Sequence, residues 1–381
     1  MFKRLRITVM VLFISHGMLY AGWETKSFEF EGQNREYRIY TPADYSPSRS
    51  YSLVLGIHGL WGNMYDFPNV VSDFQSIADT ADIILVYPQG LDNPPPLGTG
   101  WNSGAGMLGL YPSENINDVG FINAVTDSMQ ANYPIIKEQT YLFGFSNGGF
   151  MVQKIACEAN DRYAAIASIA GTLGNKIEDC NPKRKVPIIH FHGTFDINVS
   201  YFNPPMGKSV SVLLGLWSEN YNCSGREITK LPDIAADGYT IEHYVYKGCD
   251  ERLEHFKVNN AMHILLNKEH NDISYPEEMW RFFRYQKDTG VPTGIQLPRI
   301  NQIKIYPVPA NDIITIEFQS GENHRDLILD IRDYTGKQIA QLLHHPSGIS
   351  HFDCRNLPDG IYLIHATDGN RYFSQKFIVA R

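Results

Sequence analysis

Thr140-Tyr141-Leu142-Phe143-Gly144-Phe145-Ser146-Asn147-Gly148-Gly149 is the stretch on which the fold turns. An apolar run closes at Gly144, a serine sits between two glycines, and the residues from Gly149 to Glu158 are helix-like. The stretch reads as strand, sharp turn, helix. Its glycines permit the tight turn, which lifts the serine hydroxyl above the sheet and leaves the Asn147 N–H free at a helix N-terminus. The same texture recurs on either side. Ser52 to His58, Ile83 to Tyr87 and Val186 to Phe191 are short apolar runs that each end near a Gly, Pro or His, with helix-like segments such as Val119 to Gln130 between them. Buried runs alternating with helices predict a mostly parallel sheet with helices on both faces, whose ligands gather at the carboxyl ends of the strands.

A serine hydroxyl is nearly inert at neutral pH, so Ser146 needs a base, and the base needs a partner that fixes its tautomer. The expected chain order is serine, acid, histidine. Asp196, in His192-Gly193-Thr194-Phe195-Asp196 after the Val186 run, stands where the acid belongs. Two histidines follow it. His263 comes after a strand-like segment containing Phe256 and Val258, whereas His270 sits in the polar run Asn267 to Asp272; the strand context favours His263, and His270 stays a candidate. An oxyanion would need preorganised N–H donors, and the candidates are the backbone N–H groups of Asn147 and of Leu60, in His58-Gly59-Leu60. The Pro94-Pro95-Pro96 loop and the Trp101-Asn102 pair are candidates for lining an acyl or aryl pocket. Gly104-Ala105-Gly106-Met107-Leu108-Gly109 spells a dinucleotide fingerprint, but no strand leads into it and Tyr111-Pro112 follows, so it reads as a loop.

The chain has 381 residues, 43% hydrophobic and 19% charged, enough for two cores. Its net charge of −8, without a long basic block, argues against a nucleic-acid partner. Residues 1–21 read as a secretory signal: Lys3, Arg4 and Arg6 precede the apolar Ile7 to Ile14, and Ala21 supplies a small residue for cleavage. In an exported chain cysteines can pair, and Cys157, Cys180, Cys223 and Cys249 all precede residue 288. Four cysteines allow three pairings, of which Cys157–Cys180 with Cys223–Cys249 closes the shortest loops. No C-x-x-C pair or H-E-x-x-H helix is present, so no metal site is expected, and serine chemistry needs no cofactor.

Residues 22–287 form the larger predicted domain. Residues 288–300, rich in Gly, Pro and Thr, read as a linker. From 301 to 381 the pattern changes to short alternating strands separated by turn residues, the signature of a small all-β sandwich.

The ordered motifs Ile57-His58-Gly59, Tyr87-Pro88-Gln89-Gly90, Trp101-Asn102, Asn117-Asp118-Val119-Gly120-Phe121-Ile122, the Ser146 motif and His192-Gly193-Thr194-Phe195-Asp196 resemble those of the polyhydroxybutyrate-depolymerase-like and feruloyl-esterase family of α/β hydrolases. The resemblance covers nearly all of residues 25–287. It implies an α/β-hydrolase fold, a triad of Ser146, Asp196 and His263, a disulfide between Cys223 and Cys249, and ester hydrolysis on plant cell-wall polysaccharides of the feruloyl or acetyl-xylan type. Polyester depolymerisation is the alternative, and a non-catalytic carbohydrate-binding surface protein the third reading. Asn260-Ala261-Met262 and Ile264-Leu265 replace the glycines and Trp-Pro that flank the family's histidine. Residues 301–381 resemble the type A C-terminal sorting domain of the type IX secretion system through Ile305-Tyr306-Pro307-Val308-Pro309-Ala310-Asn311-Asp312, Asp333-Tyr334-Thr335-Gly336-Lys337, Asn356-Leu357-Pro358-Asp359-Gly360-Ile361-Tyr362 and the ending Gln375 to Arg381. That implies the secretion machinery as a partner and delivery to the cell surface or medium; a carbohydrate-binding module is the alternative for this segment.

Overall fold

The computed structural model describes residues 22–106, 108–177, 180, 182, 184–235, 237–284, 303–318, 327–333, 338–344, 349–367 and 372–381. The expected signal at 1–21 and linker at 288–300 lie outside these residues. The chain divides into two compact units, Met1–Asp288 and Thr289–Arg381.

The first unit opens with a hairpin, Gly22–Phe30 (β1) and Gln33–Thr41 (β2), followed by Tyr51–Ile57 (β3). The short helices Phe67–Val70 (α1) and Asp73–Ala78 (α2) lead into Ile83–Pro88 (β4). A small two-stranded ribbon, Leu91–Asn93 (β5) with Gly98–Gly100 (β6), precedes Asp118–Asn132 (α3). Ile135–Phe145 (β7), Asn147–Glu158 (α4), Ala165–Ile169 (β8) and Ile188–Gly193 (β9) follow. Val210–Asn220 (α5), Gly225–Lys230 (β10), Thr240–Lys247 (β11), Leu253–Asn259 (β12) and Tyr275–Phe283 (α6) complete the unit.

The ten strands of the main sheet run in the order β1-β2-β4-β3-β7-β8-β9-β12-β11-β10. From β4 to β12 every neighbouring pair is parallel, and the antiparallel β1, β2, β11 and β10 extend the two sides. All seven residues of β3 are buried because the pleat feeds both faces. Leu53, Leu55 and Ile57 join a core with Phe121, Val125, Val152 and Trp217 from α3, α4 and α5. Val54 joins the opposite core with Phe74, Met279 and Phe282 from α2 and α6. Each such aliphatic or aromatic side chain contributes about 1.5–3 kcal/mol on burial. This is the α/β-hydrolase arrangement, with helices on both faces of a mostly parallel sheet. Disulfides join Cys157 to Cys180 and Cys223 to Cys249, the first tying the end of α4 to the loop before β9. No helix among the described residues is long and apolar enough to cross a membrane.

The second unit contains Ile303–Tyr306 (β13), Ile313–Phe318 (β14), Leu327–Asp333 (β15), Gln338–His344 (β16), Ile349–Asp353 (β17), Gly360–Thr367 (β18) and Tyr372–Val379 (β19). They form a three-stranded sheet β13-β14-β17 and a four-stranded sheet β16-β15-β18-β19. Alternate residues turn inward, as a half-buried strand requires: Ile314 and Ile316, Leu329 and Ile331, Tyr362 and Ile364, Phe377 and Val379 share one core. Cys354 is buried there as a free thiol.

Candidate active site

Ser146 lies between the last residue of β7 and the first of α4, with φ 55° and ψ −120°. A non-glycine residue rarely adopts that conformation, and it persists only where its surroundings hold it. They do so on both sides. The Ser146 N–H donates to the Ile169 carbonyl (2.9 Å), and its own carbonyl accepts from the Phe150 N–H (3.0 Å). A Cβ at Gly144 would stand 2.2 Å from the Gly148 carbonyl oxygen, and one at Gly148 would stand 2.1 Å from that of Ile57. The two glycines are therefore required by backbone approach, which is the physical content of the motif. The serine sits at the carboxyl end of a central strand, partly exposed.

Asp196 and His263 meet beyond the ends of β9 and β12. His263 Nδ1 lies 2.7 Å from Asp196 Oδ2, and Asp196 Oδ1 accepts from the N–H groups of Asn198 (2.9 Å) and Val199 (2.8 Å). His192 Nε2 lies 2.8 Å from the Val199 carbonyl oxygen and 3.5 Å from Asp196 Oδ2. Burial opposes the charge on Asp196, yet the hydrogen bonds from His192 and His263, the pull of His263 and the Val199 N–H together hold its carboxyl well below the usual range. The loops carrying the pair are knitted together, since the Phe195 N–H donates to the Ala261 carbonyl (2.9 Å) and the Asn260 N–H to Thr194 Oγ1 (3.0 Å). Asn260 has φ 65°, a left-handed geometry that asparagine tolerates better than most side chains. The His263 ring packs 4.7 Å from that of Phe145, the residue preceding Ser146. His270 is elsewhere: its side chain is 67% exposed and its Nδ1 lies 3.1 Å from Asn267 Oδ1. Of the two histidines, the structure brings only His263 to Asp196.

Leu60 follows Gly59, where an added Cβ would lie 3.1 Å from Ser146 Cβ, so the loop after β3 abuts the serine. His58 anchors that loop. Its Nε2 accepts the Gly90 N–H (3.0 Å), which leaves Nδ1 to donate to the Gly59 carbonyl (2.8 Å). Burial pulls its pKa down to about 4, so the ring is neutral at pH 7. Asn147 links the loop to the elbow through its side chain: Oδ1 accepts the Trp101 N–H (2.8 Å), and Nδ2 donates to Ser103 Oγ (2.8 Å). The Trp101 indole N–H then donates to the His58 carbonyl (2.9 Å).

Trp101 and Asn102 consequently depart from their expected role. Trp101 has no accessible surface and lines no open pocket. Asn102 is committed to scaffold bonds, its N–H to Asp118 Oδ2 (2.8 Å) and its side-chain amide to the Ile116 carbonyl (2.9 Å). Asp118 in turn holds the buried Arg35 at 2.8 Å. Both residues shape the site from behind. Trp101→Phe, which keeps an aromatic side chain but deletes the donor and part of the buried indole, should lower kcat about tenfold with KM nearly unchanged, because the loop carrying Leu60 loses a strut worth about 1–1.5 kcal/mol. Steady-state kinetics on a soluble ester checks this.

Two further histidines sit behind the site. His190 Nδ1 and His255 Nδ1 lie 3.1 Å apart, and His255 Nε2 lies 2.9 Å from the Tyr201 hydroxyl. Burial lowers the pKa of His255 to about 3 and that of His190 well below its ordinary value. A histidine whose folded pKa lies below its unfolded value of about 6.5 supports the fold above that pH and withdraws its support as pH falls. His58, His190 and His255 all act in this direction. Denaturant unfolding at pH 7, 6 and 5 should show stability declining with acidity, by up to about 1.4 kcal/mol per pH unit for each histidine. A flat profile would contradict their neutral burial.

Asp233, Asp237 and Asp272 bring carboxylates together away from this site. Asp272 caps the N–H groups of Ile234 and Ala235, and Asp237 accepts from the Asn271 amide, so the cluster closes loops.

Comparison with known proteins gives two family matches. Residues 304–380 match the secretion system C-terminal sorting domain, and residues 117–226 match the phospholipase/carboxylesterase family. The chain is 24% identical over 235 residues to a bifunctional acetylxylan esterase/xylanase of Neocallimastix patriciarum, covering 61% of this chain and 31% of that protein. It is 27% identical over 141 residues to a probable feruloyl esterase C of Aspergillus terreus, covering 36% of this chain and 46% of that protein. A probable feruloyl esterase C of Aspergillus clavatus is 24% identical over 254 residues, 65% of this chain and 83% of that one. The chain thus spans about a third to a half of the length of the first curated relatives it matches. Among solved structures, an acetyl xylan esterase from Aspergillus awamori aligns with 12% identity over 68% of this chain and 98% of that chain, at a TM-score of 0.49.

Proposed function

We propose that this chain is an exported serine carboxylic ester hydrolase that removes feruloyl or acetyl groups from plant cell-wall polysaccharides. One observation carries the reading: a buried carboxylate held ionised and bonded at 2.7 Å to a histidine whose ring packs on Phe145, the residue before the strained elbow serine. In this mechanism Ser146 Oγ attacks the ester carbonyl while His263 takes its proton at Nε2. Asp196, through His263 Nδ1, fixes the tautomer in which Nε2 is free and stabilises the imidazolium that forms. The tetrahedral oxyanion is received by the N–H groups of Leu60 and Asn147, one on the loop anchored by His58 and the other at the first residue of α4. His263 then returns the proton to the departing alkoxide, leaving an acyl-Ser146, and a water activated by the same histidine releases the acid.

The kinship to acetylxylan and feruloyl esterases supports the substrate class, and the sorting-domain match supports delivery by the type IX machinery to the cell surface or medium. The test is a panel of acetylated xylan, feruloylated arabinoxylan and a polyhydroxybutyrate film, run on the full chain. Release of acetate or ferulate supports the reading. Clearing of the film in its place would move the substrate to polyesters. Failure of Ser146 to label with a fluorophosphonate would remove the hydrolase assignment altogether.

A further inference from the structure

Trp61 directly follows Leu60 on the loop that abuts Ser146, yet 68% of its surface is exposed. A lone exposed aromatic is ordinary on a protein surface, so its meaning rests on its position beside the serine and on how it is held. Its backbone has φ 58°, the left-handed region that bulky residues avoid. Such geometry persists only where neighbours impose it, and it concentrates at functional sites.

The ring is seated on one side and open on the other. Gly98, itself at φ +58°, lies beneath it, and a Cβ there would stand 2.1 Å from Trp61 Cδ1. The indole N–H donates to the Pro96 carbonyl (3.3 Å), and the Trp61 backbone N–H donates to that of Thr99 (2.8 Å). The loop of residues 94–99 therefore serves as a rest for one exposed indole.

Beside it, starting at Asn63, opens a cleft of about 390 Å³ whose walls include Asn34, Glu36, Tyr65, Asp92 and Thr99. Amides, carboxylates and hydroxyls in a shallow cleft suit a ligand with many hydroxyl groups, whereas a feruloyl ring would call for an apolar slot. Arg35 at its base is already bound to Asp118.

We propose that Trp61 is the stacking platform for a pyranose ring of the polysaccharide that carries the ester, with the neighbouring cleft receiving adjacent sugar units. This rests on the ester-hydrolase reading for its biological sense, but it can be tested without turnover. Full-length Ser146→Ala protein is titrated with unesterified xylohexaose while the heat of binding is followed by isothermal titration calorimetry. The expected result is a saturable change that disappears when Trp61→Ala is added and largely survives with Trp61→Phe. Equal binding with and without Trp61 overturns the proposal.

In the active protein, Trp61→Ala should lower kcat/KM on acetylated xylan about tenfold more than on p-nitrophenyl acetate, with the excess in KM. Equal losses on both esters would assign Trp61 to holding the Leu60 loop. A matching excess loss on methyl ferulate would assign the ring to the acyl group. Either result sinks the sugar platform. Absence of all ester hydrolysis in the parent, with xylohexaose still bound through Trp61, would overturn the hydrolase reading and leave the platform standing.

Discussion

Ser146→Gly is expected to abolish ester turnover, by about a millionfold in kcat, and at the same time to make the protein harder to unfold. The two effects have separate causes. Removing Oγ removes the nucleophile, and the remaining oxyanion donors and binding contacts leave only background catalysis. Removing Cβ relieves a backbone held at φ 55° and ψ −120°, whose strain is of order 1–3 kcal/mol. Glycine returns about 0.5–1 kcal/mol of that gain through the extra freedom of the unfolded chain. A net rise of about 1–2 kcal/mol, or a few degrees in Tm, is the expected balance. Ser146→Ala is the control that separates the causes. It lacks the hydroxyl but keeps the Cβ, so it should match glycine in lost activity and stay close to the parent in Tm. If glycine and alanine melt alike, the elbow stores no strain worth measuring. Calorimetry with a p-nitrophenyl acetate assay reads both quantities on the same samples.

What the sequence displays of this molecule is what local pattern can encode. β3, β4 and the end of β7 are legible because each is an unbroken apolar run closed by a turn residue, and the glycines of the elbow announce a backbone approach that the structure bears out at 2.1 and 2.2 Å. β10 is invisible by the same logic: all six of its residues are exposed, so no alternation marks it, and it is a strand only because it pairs with β11. The elbow serine was legible from its neighbours in the chain, whereas its supports were not. Trp101 is bonded to a side chain 46 residues away and to a carbonyl 43 residues away, and a Trp-Asn pair in a loop carries no mark that distinguishes a buried strut from a substrate wall. The reading of Trp101 as pocket lining failed for that reason. Trp61 carries no such mark either, because its setting lies in a torsion angle and in Gly98 beneath it, and neither is written in local composition.

His263→Ala should lower kcat by about a millionfold, while His270→Ala, whose side chain points into a solvated loop, should turn over as the parent does. The contrast is sharp because the two residues are separated by only a short loop and the flanking sequence departs from the resembling family at the first of them. Asp196→Asn adds the finer test. The carboxylate accepts from two backbone N–H groups through Oδ1 and faces His263 and His192 through Oδ2, so every partner is a donor. An amide can satisfy donors only with its oxygen. Its NH2 group must therefore confront either the Asn198 and Val199 N–H groups or the histidine, and in the second case His263 is pushed into the tautomer that cannot accept the serine proton. The expected loss is about ten-thousandfold in kcat with little change in KM, smaller than that from removing His263 because the ring stays in place. Activity of Asp196→Asn should also recover partially at alkaline pH, as hydroxide supplies the base that the misoriented imidazole no longer provides. A full-strength Asp196→Asn enzyme, or a His270→Ala variant as dead as His263→Ala, would mean that the 2.7 Å pair is structural and that the proton leaves Ser146 by another route.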